Sequence, residues 1–206
     1  MDPRWKHPFT CIVAGPTSSG KTQFVKRLLE NSSETINPPP EKIYWFYGEW
    51  QNEFTRFRLN NIQFMEGLPR EDILDPNVRN LVVIDDLLSE TDARVTKLFT
   101  KGSHHKNTSV IFITQNLFDR NKENRTISLN THYMVLFKSP RDATQVEHLA
   151  RQMYPGRSKF MREAYADATS EPYSYLLVDL RSDTPDELRL RSKIFPGEMQ
   201  VVYIKR

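Results

Sequence analysis

One stretch of the chain has the residue types and the spacing of a phosphate-binding loop. Residues 15–22 read Gly-Pro-Thr-Ser-Ser-Gly-Lys-Thr and fit the pattern G-x-x-x-x-G-K-[ST] at every fixed position. Gly15 and Gly20 let the backbone curl so that successive N–H groups point at a phosphate. Lys21 adds a compact positive charge between the β- and γ-phosphates, and the Thr22 hydroxyl is a ligand for Mg²⁺. The predicted nucleotide-binding set is therefore Gly15, Pro16, Thr17, Ser18, Ser19, Gly20, Lys21 and Thr22.

Two carboxylates follow a second apolar run, residues 81–84 (Leu-Val-Val-Ile). In a site that cleaves phosphate, Asp85 would hold Mg²⁺ through water opposite Thr22. Asp86 would orient or deprotonate the attacking water as general base. The alternative is that the two residues cap a helix or belong to a loop. The phosphate loop and the strand type favour the catalytic interpretation.

Gln115 follows a third apolar run, residues 108–114 (Thr-Ser-Val-Ile-Phe-Ile-Thr). An amide at the tip of the strand beside Asp85 could contact the γ-phosphate or the lytic water and report hydrolysis to the rest of the protein. The alternative is a strand end that hydrogen-bonds its own loop. We predict catalytic roles for Lys21, Asp86 and Gln115, and a metal site formed by Thr22 and Asp85.

Positioning these residues requires strands that alternate with helices. Apolar runs rich in β-branched and aromatic residues predict strands at 9–14, 42–47, 62–65, 80–84, 108–114, 132–137, 173–178 and 199–204. Apolar residues at helical spacing predict a helix from Gly20 to Glu30, another after the capping-box pair Ser89 and Asp92, and a third over 141–154. This alternation predicts an α/β fold with a mostly parallel central sheet.

Composition narrows the class of protein. The chain has 206 residues, of which 27% are charged and 11% aromatic, as expected for a folded domain. A single cysteine, Cys11, excludes a disulfide scaffold and suits a reducing compartment. No apolar run is long enough to span a bilayer, and the first residues lack the apolar stretch of a signal peptide. We therefore expect an intracellular protein with no membrane partner.

Positive charge is concentrated in one part of the chain. The formal net charge is only +3, but residues 94–162 contain 13 Lys and Arg against 4 Asp and Glu, a net +9. Such a segment is either a set of solvated helix faces or a surface that binds a polyanion. Because no zinc-finger or helix-turn-helix signature is present, any DNA binding is expected to be independent of sequence.

Taken in order, these motifs resemble the additional-strand class of P-loop NTPases, and within it the FtsK–HerA superfamily of DNA-pumping ATPases. The chain is most similar to poxvirus-type genome-packaging ATPases, in particular those of polinton and adintovirus elements. The stretches that carry the resemblance are residues 6–9 (Lys-His-Pro-Phe), 47–51 (Tyr-Gly-Glu-Trp-Gln), 98–105, 114–118 (Thr-Gln-Asn-Leu-Phe) and 148–156. The resemblance extends over roughly residues 6–158.

The resemblance implies a three-layer, RecA-like ATPase core over residues 1–165, with 166–206 as a β-rich extension of the same domain. It implies ATP and Mg²⁺ as cofactors, a hexameric or pentameric ring, and translocation of double-stranded DNA into a capsid at the site of virion assembly, in the host nucleus or cytoplasm. It also implies an arginine finger from a neighbouring subunit. Arg125 is our choice for that finger, and the alternatives are Arg94, Arg120, and a substitute at His104 or Lys106.

Other interpretations of the same residues stay open at this point. A small-molecule or nucleotide kinase on the same loop would turn over as a monomer without DNA, and a nucleotide-gated switch would need no catalysis. The adjacent His104 and His105 either lie in a solvated turn, contact DNA or a neighbouring subunit, or bind a metal. The aromatic residues at 44–47 and Trp50 either pack in the core or stack on an adenine.

Overall fold

The computed structural model of the chain describes residues 2–70, 73–85, 87, 93–102, 107–116, 122–141 and 143–205. The strands in these ranges are β1 (Trp5–Lys6), β2 (Thr10–Ala14), β3 (Ile36–Asn37), β4 (Lys42–Tyr47), β5 (Ile62–Glu66), β6 (Asn80–Asp85), β7 (Thr108–Thr114), β8 (Tyr133–Phe137), β9 (Tyr175–Asp179), β10 (Leu190–Ser192) and β11 (Val201–Val202). The α-helices are α1 (Lys21–Glu30), Ser32–Thr35, Ala93–Lys97, Lys122–Leu129, Ala143–Met153 and Ser158–Ala168. Short 3₁₀ helices span Asn52–Arg56 and Asp186–Leu188, and a π-helical turn spans Leu98–Gly102.

A nine-stranded sheet in the order β11-β10-β9-β8-β2-β7-β6-β4-β5 forms the centre of the described structure. The pairs from β8 through β2, β7, β6 and β4 to β5 are parallel. Strands β9, β10 and β11 each run antiparallel to the strand before them. The predicted α/β fold with a mostly parallel central sheet is confirmed.

Helices cover both faces of this sheet, which gives three layers. Successive side chains of β2 alternate between the faces, so Ile12 belongs to one hydrophobic cluster and Val13 to the other. Helix α1 packs on the Val13 face with Phe24, Val25, Leu28 and Leu29. The opposite face is covered by the helices that carry Val95, Ile127, Leu149 and Met161. Because both faces are buried, the central strands have apolar residues on both sides, and their polar residues lie near the strand ends, such as Thr10, Asn80 and Thr114.

The last third of the described chain differs in part from the expected elements. The helix Ser158–Ala168 and strand β10 were not predicted, and the strand expected over 199–204 is reduced to Val201–Val202. The expected boundary between residues 165 and 166 lies inside the helix Ser158–Ala168, and the strands that follow extend the same sheet. The capping-box pair Ser89 and Asp92 lies outside the described residues. None of the helices described is long and apolar enough to cross a membrane.

Candidate nucleotide-binding site

A cavity of about 780 Å³ opens at the carboxyl-terminal edge of the parallel strands. The segment that follows β2 lines its centre, with the first turns of α1. The ends of β6 and β7 contribute Asp85, Ile113 and Gln115 on one side. Crevices of this kind, at the carboxyl ends of strands in α/β sheets, are where such folds bind ligands.

The loop between β2 and α1 needs glycine at both of its fixed positions. A Cβ on Gly15 would lie 2.6 Å from Cβ of Phe137 and 2.8 Å from Oγ of Ser19, so a larger residue has no room. Gly20 has φ +102°, a left-handed conformation that L side chains rarely adopt. The loop turns tightly, since the Ser19 N–H donates to the Pro16 carbonyl at 3.2 Å. The chain then enters α1, and the amino terminus of a helix attracts anions because its first N–H groups are free to bind them.

Lys21 lies at the start of α1 and folds back over the loop. Its Nζ donates to the carbonyl oxygens of Gly15 at 2.7 Å and Pro16 at 2.9 Å. These bonds hold the ammonium group at the mouth of the loop, where a phosphate oxygen can replace a carbonyl as its acceptor. Lys21 and Thr22 both line the cavity, as do the loop residues Thr17, Ser18, Ser19 and Gly20.

The structure brings two predicted residues from beyond the loop, Asp85 and Gln115, to this cavity. Asp85 ends β6 and is only 3% exposed, so its carboxylate enters the cavity from the buried sheet. Gln115 directly follows β7, is exposed and lines the same cavity. Thr22 supplies a hydroxyl and Asp85 a carboxylate, which are the hard oxygen ligands that Mg²⁺ prefers. The donor set therefore fits a magnesium–triphosphate complex.

The other predicted residues are either outside the described residues or away from the cavity lining. Asp86 lies outside the described residues, as do Arg120 and the stretch 103–106 that contains His104, His105 and Lys106. Arg125 is exposed on the helix Lys122–Leu129 and is not among the residues that line the cavity. Arg94 is also exposed and is absent from the lining. A finger supplied by a neighbouring subunit need not line the cavity of its own chain.

Two groups of lining residues were missed by sequence analysis. Gln51 directly precedes the 3₁₀ helix Asn52–Arg56, which follows β4, and Glu53 lies within it. The opposite end of the cavity is formed by Tyr173, Tyr175, Phe195 and Arg27. Of the two interpretations of the aromatic run 44–47, core packing is confirmed for Tyr44, Trp45 and Phe46, which are 0–5% exposed.

Tyr175 belongs to the wall of the cavity. Burial raises the pKa of its phenol well above the usual range, and its oxygen accepts a hydrogen bond from the Ile194 N–H at 3.1 Å. The ring of Phe24 contacts that of Tyr175 edge-on, with the ring centroids 4.6 Å apart. Tyr175 is thus a neutral, fixed part of the cavity at any physiological pH.

Comparison with solved structures shows where this architecture recurs. The genome packaging NTPase B204 of Sulfolobus turreted icosahedral virus 2, solved in complex with ATP-gammaS, superposes with a TM-score of 0.59. The superposition covers 89% of this chain and 96% of that one at 12% sequence identity. The chain has the fold of this packaging NTPase. The predicted resemblance to P-loop ATPases is thereby confirmed for the fold.

Two further comparisons are more limited. The cytoplasmic domain of EssC superposes with a TM-score of 0.50 and 13% identity, over 95% of this chain and 39% of that one. Packaging protein 1 of Snake adenovirus serotype 1 is 47% identical over 38 residues, which are 18% of this chain and 8% of the adenovirus protein. The chain thus matches only a small part of that relative. No protein-family model matches the sequence.

Proposed function

We propose that the chain is a Mg²⁺-dependent ATPase that translocates double-stranded DNA during the packaging of a viral genome. The observation that carries the proposal is the convergence of the phosphate loop, Asp85 and Gln115 on one cavity. The fold supports the same activity, because a packaging NTPase with this architecture was solved with ATP-gammaS. The short match to an adenovirus packaging protein supports the process.

Each residue of the cavity has a role in this proposal. The loop N–H groups and Lys21 bind the β- and γ-phosphates, with Lys21 exchanging its carbonyl acceptors for phosphate oxygens. Thr22 and Asp85 hold Mg²⁺, which when bound offsets the charge that develops on the phosphate oxygens during cleavage. Asp86 orients or deprotonates the attacking water, and Gln115 contacts that water or the γ-phosphate.

The remaining elements act between subunits and on DNA. We assign Arg125 to the γ-phosphate of a neighbouring subunit in a hexameric or pentameric ring, because its side chain is exposed and away from its own cavity. We assign DNA binding to the basic segment 94–162. Apart from Arg125, its exposed cations include Arg94, Lys97, Lys138, Arg141, Arg151, Arg157, Lys159 and Arg162. Residues 1–165 carry the chemistry, residues 166–206 extend the same domain, and the motor works beside the capsid inside the host cell.

Steady-state ATP hydrolysis by the purified chain, with and without long double-stranded DNA and across protein concentration, tests the proposal. We expect DNA to stimulate hydrolysis and the rate per chain to rise steeply with concentration, because each site needs a neighbour. A rate that is indifferent to DNA and linear in protein contradicts the motor and favours a self-contained enzyme such as a kinase.

The salt dependence of DNA binding tests the basic segment separately. If its cations contact phosphates, log affinity falls linearly with log salt, with a slope of about −0.9 per phosphate neutralised. A flat response contradicts a role for this segment in DNA binding. Scrambled duplexes of equal length should bind equally, since phosphate contacts do not read sequence.

A further inference from the structure

The phosphate loop has two different neighbours in the sheet. Strands β7 and β6 lie on one side of β2 and bring Gln115 and Asp85 to the cavity. Strands β8 and β9 lie on the other side. Because β9 runs antiparallel to β8, its first residue pairs with the last residue of β8, Tyr175 with Phe137. The start of β9 and the segment before it therefore reach the same edge of the sheet as the phosphate loop.

Tyr173, in this segment, combines an exposed side chain with a left-handed backbone conformation. Its side chain is 72% exposed, although it lines the cavity and approaches the loop closely. A Cβ on Gly20 would lie 3.3 Å from Cδ1 of Tyr173. The backbone of Tyr173 has φ +63°, a left-handed conformation that is costly for a bulky residue. An exposed aromatic side chain held in such a backbone next to a binding loop points to a ligand contact.

The wall behind Tyr173 is aromatic and firmly packed. The ring centroids of Phe24 and Phe195 are 5.2 Å apart, so these two side chains support one another. The guanidinium of Arg27 lies over the ring of Phe195, 4.3 Å from its centroid. Arg27 is in turn held by Glu198, with Nη1 and Oε1 2.6 Å apart. This end of the cavity offers flat, apolar surfaces, whereas the Asp85 end offers oxygen ligands.

We infer that the base of the bound nucleotide stacks on Tyr173, in the end of the cavity bounded by Phe195 and Arg27. The inference rests on the proposed function, because it takes the triphosphate to lie in the loop with its γ end toward Asp85 and Gln115. The base must then lie on the opposite side of the loop, toward β8 and β9. An aromatic ring stacks on any base, since every base has a π face.

Equilibrium binding of two probes to wild type and to two variants tests this inference. The probes are Mg–ATP and magnesium tripolyphosphate, which lacks a base, and the variants are Tyr173→Ala and Tyr173→Phe. We expect Tyr173→Ala to weaken ATP binding about tenfold, as loss of one stacking contact predicts, and to bind tripolyphosphate like wild type. Tyr173→Phe keeps the ring and should bind both probes like wild type. Leu129→Ala removes an equally exposed apolar side chain from another surface and serves as the control.

Each outcome of this experiment has a distinct meaning. If Tyr173→Ala binds ATP as tightly as wild type, the inference is overturned while the phosphate-loop assignment stands. If it loses affinity for both probes equally, Tyr173 shapes the loop through Gly20 and does not stack on the base, which also overturns the inference. If wild type binds neither probe, the proposed function fails, and the inference fails with it. Thermal unfolding of each variant confirms that it is folded.

Discussion

The two edges of the parallel sheet use polar side chains differently. At the amino-terminal edge, Ser109 Oγ accepts a hydrogen bond from the Phe9 N–H at 3.1 Å and lies 2.6 Å from Nδ1 of His7. Nε2 of His7 in turn lies 3.0 Å from Oδ1 of Asn107. At the carboxyl-terminal edge, the ammonium of Lys21 bonds to backbone carbonyls beside an open cavity. Polar groups at the first edge bond to one another, and those at the second surround a space for a ligand.

The two edges therefore contribute differently to stability and to chemistry. A side chain whose partners are other side chains contributes to the folded state, and its loss leaves a buried polar group without a partner. A side chain that faces a cavity contributes to the bound state, and its loss changes affinity or rate. Substitutions at the amino-terminal edge should therefore lower the free energy of unfolding. Substitutions at the carboxyl-terminal edge should lower ATP affinity or turnover.

The largest effect is expected for Arg191→Met near the amino-terminal edge, where Asp179 pairs in register with the first residue of β8. Nη2 of Arg191 lies 3.1 Å from Oδ2 of Asp179, and both side chains are 5% exposed. Although the Arg181 N–H still donates to Oδ1 at 3.1 Å, removing the arginine leaves the buried carboxylate of Asp179 without its ion-pair partner, which should lower the free energy of unfolding by about 3–5 kcal/mol. Urea unfolding measures it, with Arg191→Met/Asp179→Leu as the matched variant that should recover much of the loss. Equal stability of wild type and Arg191→Met would contradict the assignment of a stabilising role to the polar side chains at this edge.

Lys21→Ala is the corresponding test at the carboxyl-terminal edge. We expect kcat to fall about 10²–10³-fold, because one charge that stabilises the transition state is lost. The free energy of unfolding should change little, since the bonds it loses are to carbonyls at an open loop. Lys26→Ala, on the same helix but outside the cavity lining, is the control and should keep wild-type turnover. Near-normal hydrolysis by Lys21→Ala would refute the phosphate-loop assignment.

A smaller effect separates strain from ligand binding at Tyr173. Tyr173→Gly and Tyr173→Ala both remove the ring, so both should lose ATP affinity equally. Only glycine adopts φ +63° without cost, so the glycine variant should be more stable than the alanine variant by about 1 kcal/mol. Chemical denaturation of the two variants measures this difference. If alanine is as stable as glycine at this position, the backbone of Tyr173 is not strained.

The smallest effect is a pH dependence of stability that comes from His7. Burial lowers the pKa of His7, so the imidazole is neutral in the folded state while the unfolded chain takes up a proton near pH 6.5. Asn107 Oδ1 can only accept, so Nε2 carries the proton and Nδ1 accepts from Ser109. This stabilisation is complete above pH 6.5 and is lost as the pH falls through the lowered pKa.

Urea unfolding of wild type and His7→Asn from pH 8 to pH 5 measures this contribution. The difference in free energy of unfolding between the two proteins should shrink on acidification, because the unfolded wild type takes up a proton on His7 that the folded state, with its lowered pKa, resists. The turnover of His7→Asn at neutral pH should match wild type, since His7 lies at the edge opposite the cavity. A difference that stays constant with pH would exclude His7 as the titrating group.

The central strands and the phosphate loop were predictable because each is a local pattern. Strands β6 and β7 each have a continuous apolar run of four residues at their centre, and the loop is a fixed spacing of glycine, lysine and threonine. Asp85 and Gln115 could be placed together as well, since parallel neighbouring strands end at one edge. The helix Ser158–Ala168 also carries a local signal, with Met161, Ala164 and Ala168 buried at helical spacing, which a closer search for periodicity would have found.

The other end of the cavity could not be predicted because it depends on contacts between distant parts of the chain. Tyr173 reaches the phosphate loop only because β9 runs antiparallel to β8. The apolar pattern of a strand predicts that it is a strand but does not predict whether it runs parallel or antiparallel to its neighbour. Phe195 comes from a segment with no regular structure, and strand β10 has only three residues. Neither has a pattern that distinguishes it from ordinary surface loops.

The order of the strands in the sheet also governs how the chain is made. The two neighbours of strand β2 in the sheet, β7 and β8, are synthesised roughly a hundred residues after β2 itself. Strands β4, β5 and β6 are contiguous in sequence and can pair as soon as they leave the ribosome. During that interval a nascent chain exposes both edges of β2, which are a template for pairing with other chains. The strand that leads into the phosphate loop thus precedes both of its neighbours in synthesis and is enclosed only after β7 and β8 have been made.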